Sequence, residues 1–87
     1  MRLDNSNNII AVIRDGGRSK KRVCITYRKE SGVVVTRNIA FYSITDGYAY
    51  GTTLRQGPYK IKSFLISRII TAKKLADDFE PAWEVKL

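Results

Sequence analysis

The sequence predicts a small, mainly β domain, a barrel of about five short strands with a short N-terminal helix and an extended C-terminal tail. Three observations carry this reading. Runs rich in β-branched and aromatic residues alternate with polar ones at period two, the pattern of a half-buried strand. Turn residues break those runs at short intervals, in "KESG", "TDG" and "RQGP". The 87 residues suffice for one domain, taken as 1–87, with a modest core. Strands closing on themselves would also leave no exposed edge.

The first element is "NSNNIIAVIRDGG", residues 5–17. Ser6 and the asparagines suit an N-cap. Ile9, Ile10, Val12 and Ile13 form a helix-like apolar cluster, although periodicity alone also admits a short strand. We read a short helix, ended by Gly16-Gly17. "RVCITYR" alternates Val23, Ile25 and Tyr27 with Cys24, Thr26 and Arg28, and is the first strand. A turn at Ser31-Gly32 leads to the longer strand "VVVTRNIAFYSI". There Arg37 shares a face with Val35, Ile39 and Phe41, so it lies at a barrel mouth or a bulge moves it outward.

Asp46-Gly47 is a strong hairpin signal. It introduces "YAYGTTL", with Tyr48, Tyr50, Thr52 and Leu54 on one face. "YKIKSFLI" follows the next turn. Lys60 and Lys62 share parity with Phe64 and Ile66, as in a strand that runs from the sheet edge into the core or carries a bulge. "SRIITAKKLADDF" reads either as a helix or as a tight turn at Ser67-Arg68 and a closing strand "IITAKKL". β-Branched Ile69, Ile70 and Thr71 favour the strand. The tail "DDFEPAWEVKL" reads as extended, with Phe79 and Trp83 as docking side chains.

Charge narrows the function. There are 16 Lys+Arg against 8 Asp+Glu, a net charge of +8, which favours anionic partners. The charges are also segregated. No acid lies between Gly47 and Ala76, a stretch that holds Arg55, Lys60, Lys62, Arg68, Lys73 and Lys74. A second acid-free basic run spans Arg18 to Lys29, and Asp77, Asp78, Glu80 and Glu84 cluster afterwards. The lone Cys24 allows no intrachain disulfide, which fits a reducing cytoplasm. No apolar run approaches a membrane span.

Without histidine the chain has no imidazole base or metal ligand, and one cysteine builds no zinc site. No phosphate-binding glycine loop is present. No nucleophile, base and orienting group can be named together, so we expect a non-enzyme without a cofactor. What remains is a binding surface. Arg55, Lys60, Lys62 and Arg68 can neutralise phosphates. Tyr48, Tyr50 and Tyr59 offer either stacking platforms or core rings with hydroxyls at the rim. Arg37 and Arg68 lie beside apolar residues. A guanidinium so placed needs a partner, either one of the chain's own acids or carbonyls or a bound phosphate or carboxylate.

The order of these signals resembles the WYL domain, a bacterial regulatory module with a small SH3/Sm-like barrel. The resemblance rests on "ITY" at 25–27, "RNIAF" at 37–41, "GYAYG" at 47–51, "KSFLISRI" at 62–69 and "FEP" at 79–81, in family order over nearly the whole chain. The signature tripeptide is "YAY" here. Phe41 stands where the family prefers proline, Lys62 where it prefers arginine and Ser67 where an acid is common. The DNA-binding helix-turn-helix that usually accompanies the domain is not in this sequence. The resemblance implies ligand sensing in transcriptional regulation, with single-stranded nucleic acid or a nucleotide-like anion as partner. By residue matching it implies ligand roles for Arg37, Tyr48, Lys62 and Arg68. The rival expectation is a protein-interaction module, meeting an acidic protein partner or forming a homodimer through charge complementarity. Membrane binding is not expected.

Overall fold

A computed structural model describes residues 5–53, 61–81 and 84–87. Helix α1 (Asn5–Arg18) is followed by β1 (Lys21–Arg28), β2 (Val34–Thr45), β3 (Tyr48–Thr53) and β4 (Ile61–Leu65). A 3-10 turn, Ile66–Arg68, then leads into β5 (Ile69–Asp78). All neighbouring pairs are antiparallel in one sheet of order β4-β3-β2-β1-β5. The mainly β fold with five strands and one N-terminal helix is therefore as expected. Among the described residues the ring of hydrogen bonds expected of a closed barrel is not made, because β4 and β5 are the two ends of the sheet.

The sheet is nevertheless strongly curled. Laid flat, five strands put their edges ~19 Å apart at ~4.8 Å per strand. The link from Leu65 at one edge to Ile69 at the other is only the three-residue turn, and four Cα steps reach at most ~14 Å. The edges must approach at that corner. The interior shows the same curl: the rings of Tyr27 on β1 and Phe64 on β4 meet edge to face with centroids 5.3 Å apart, although two strands separate them in the sheet.

Helix α1 covers the concave face. Ile9 and Ile13, one turn apart, pack with Val23, Ile25, Ile39, Phe41, Ala49, Phe64, Ile66 and Ile69 into the main core. The helix runs through Gly16-Gly17 instead of ending there, which corrects the sequence reading. The glycines serve approach. A Cβ on Gly16 would collide with the Val23 side chain, and one on Gly17 with Leu87 and the Phe41 carbonyl oxygen. The helix ends just beyond them, where Lys20 takes a left-handed φ of 58°.

The turns follow their residues. Asp46 and Gly47 have φ of 52° and 81°, the two positive values of a type I′ hairpin. In "KESG" the Gly32 amide donates to Lys29 O at 2.8 Å, and the Lys29 amide closes the loop on Val33 O at 2.8 Å. At Ser67-Arg68 the turn-and-strand alternative is the one realised, and β5 runs on past Leu75 to Asp78.

A second, smaller core lies on the convex face. Phe79 packs edge to face on Tyr42, with Ala40 and Val85 beside them. The tail is thus extended and docked as expected at Phe79, while Trp83 lies outside the described residues. Tyr42 is the extra residue at a bulge in β2, and its carbonyl accepts from the Lys86 amide at 2.7 Å. Among the described residues, no helix is long and apolar enough to cross a membrane.

Candidate functional site

The curl brings four elements around one cavity of about 670 Å³. The end of β1 and the turn after it supply Tyr27, Lys29, Glu30 and Ser31. The start of β3 supplies Tyr48. Ser63, Phe64 and Leu65 come from β4, and Arg68 from the 3-10 turn. Because β4 is an edge strand, residues from both of its faces reach the cavity. Phe64 is buried and held against Tyr27 and Phe41, so it forms a fixed apolar wall. Tyr48 lies opposite Leu65 in the ladder, borders the cavity and stays 39% exposed. The Tyr50 ring stands behind it, 6.4 Å away and tilted by 42°.

The polar lining is unneutralised. Arg68 is half-buried, and Lys29 and Glu30 are exposed. None of the three is in an ion pair among the described residues. The pairs that are formed lie elsewhere, Lys21 with Asp78 and Lys74 with Asp15 at 2.8 Å. A guanidinium near an apolar wall without a carboxylate keeps its fork of donors for another anion. The cavity therefore combines aromatic surface, a free guanidinium, an ammonium and one carboxylate. Such a lining can bind and orient a small polar aromatic anion.

Of the residues singled out from sequence, Tyr48 and Arg68 come together in this cavity. Tyr50 adjoins Tyr48 but does not line it. Arg37 and Lys62 do not line it either. Arg37 is in regular register with Ile25, shares the face of Ile39 and is still exposed. No bulge turns it outward, so it sits where that face opens to solvent. Among the described residues its guanidinium donates only to the neighbouring Thr36 carbonyl, at 3.3 Å. Lys62 is exposed opposite Gly51, two positions before buried Phe64, with no register shift between them. Strand β4 thus enters the core without a bulge. Arg55 and Lys60 lie outside the described residues. Sequence reasoning passed over Lys29, Glu30 and Ser31. They read as an ordinary turn, and nothing local shows that this turn faces β4 across the curl.

Comparison with family models and with curated proteins finds no match to this chain.

Proposed function

We propose that this chain is a non-enzymatic sensing module of the WYL type, which binds single-stranded nucleic acid or a nucleotide-like anion. The observation that carries this reading is the joining of Tyr48 and Arg68 in one cavity, with neither side chain tied to a carboxylate among the described residues. The net charge of +8 would steer anions towards it. Arg68 grips a phosphate through parallel hydrogen bonds, Tyr48 stacks on a base, and Lys29 adds local positive charge. Arg37 and Lys62, with Arg55 and Lys60, would extend contact to a longer strand.

Fluorescence polarisation with labelled single strands across a salt series tests this. Affinity is expected to fall steeply with salt. Arg68→Ala should weaken binding by about tenfold or more, the scale of a lost charge-assisted hydrogen bond. Lys73→Ala, at an exposed site on β5, should change it by less than about threefold. Equal losses would mean a diffuse charged surface and no pocket.

The edges of β4 and β5, unpaired among the described residues, favour a second reading, a homodimer joined edge to edge. Size exclusion at low and high salt separates the two. A dimer that persists at high salt and shifts no oligonucleotide supports the second.

A further inference from the structure

Glu30 and Arg68 line the same cavity and carry opposite charges, yet no nitrogen of one lies within ion-pair distance of an oxygen of the other. The lining is therefore bipolar. A phosphate settles at the guanidinium and is repelled by the carboxylate, so the carboxylate must face a different part of the ligand. An ionised carboxylate only accepts hydrogen bonds, and its two oxygens take two donors side by side. Among the common bases, guanine alone presents two adjacent donors on its pairing edge, N1–H and the exocyclic amine. Adenine and cytosine set one donor beside an acceptor, and uracil places a single N–H between two carbonyls.

We propose, building on the anion-binding reading above, that the cavity selects a guanine mononucleotide. The base stacks on Tyr48, its N1–H and amine donate to the Glu30 carboxylate, and its phosphate meets Arg68. The volume of about 670 Å³ falls within the ~300–1,000 Å³ of small-ligand sites. That volume leaves room for one nucleotide.

Calorimetric titration of the whole chain with GMP and with AMP tests the proposal. GMP should bind about tenfold more tightly or better, the discrimination that a bidentate base contact supplies. Glu30→Gln places one donor against the two on guanine and should abolish that preference. Its AMP affinity should hold or rise slightly, because a negative charge has left the phosphate's surroundings. Glu30 is an exposed turn residue, so the variant should fold, and an unchanged thermal midpoint checks this. Arg68→Ala should weaken both nucleotides alike. Equal affinity of the unaltered protein for GMP and AMP overturns guanine selection and leaves the anion-binding reading standing. A preference that survives Glu30→Gln overturns the role given to Glu30. Binding of single strands but of neither nucleotide overturns the one-nucleotide site. Binding of nothing anionic overturns both proposals.

Discussion

Gly17 shows how one missing side chain sets the distance between layers. A methyl group there would fall on the Leu87 side chain and 2.9 Å from the Phe41 carbonyl oxygen. Alanine would gain about 1 kcal/mol in helix propensity. Overpacking against a backbone atom costs about 1–3 kcal/mol. The second effect wins because a carbonyl in a paired strand yields less than a side-chain tip. Gly17→Ala should therefore lower stability by up to about 2 kcal/mol, read as a shift of the urea midpoint. Asp15 works through charge. The hydrogen bond and the positive charge of Lys74 hold its carboxyl below the ordinary 3.8, against a weaker opposing effect of burial. A carboxyl depressed in the folded state stabilises it above the unfolded pKa, and that contribution fades as pH falls through the folded value. Asp15→Asn should cost a little stability at pH 7 and progressively less as the pH is lowered through the carboxylate range. Denaturation midpoints across that range check the sign.

Among the elements, the hairpin turns are the most local. Asp46-Gly47 declares its type I′ geometry in two letters, since positive φ at both positions suits few residue pairs. Gly47→Ala should cost about 1–2 kcal/mol, the penalty of a Cβ in the left-handed region, with the melting temperature as readout. For the same reason β1, β2 and β3 were legible from period-two patterning and turn chemistry alone. Helix α1 was legible in kind but not in length. Glycine normally stops a helix, and only the nearness of Val23 and Phe41 shows why two glycines sit inside this one. The segment after Leu65 was legible only as a choice between helix and strand. β-Branched Ile69, Ile70 and Thr71 weighed for the strand, and pairing with β1, from Ile69 opposite Tyr27 to Asp78 opposite Lys21, decides it.

At the scale of the whole molecule the curl governs both core and site, and it is the least legible feature. Periodicity assigns Phe64 to an inner face. It does not say that this ring reaches Tyr27 on the far side of the sheet. Phe64→Ala should cost about 3–5 kcal/mol, as for other buried phenylalanines. It should also weaken ligand binding at temperatures where the variant is still folded, because the cavity loses a wall. Calorimetry well below the variant's melting point separates the two effects. The site was half legible for a related reason. Arg68 and Tyr48 stood out by charge segregation and aromatic alternation, whereas Lys29, Glu30 and Ser31 enter the cavity only through the curl.

The contact between Gly17 and Leu87 has a consequence for how the protein folds. The Arg18 guanidinium donates to the Leu87 main-chain oxygen at 2.7 Å, across 69 residues of sequence. The groups that seat the final turn of the helix therefore come from far along the chain. Closing so long a loop costs entropy that the local hairpins do not face. The glycine-lined end of the helix should accordingly lock into place after the hairpins have formed.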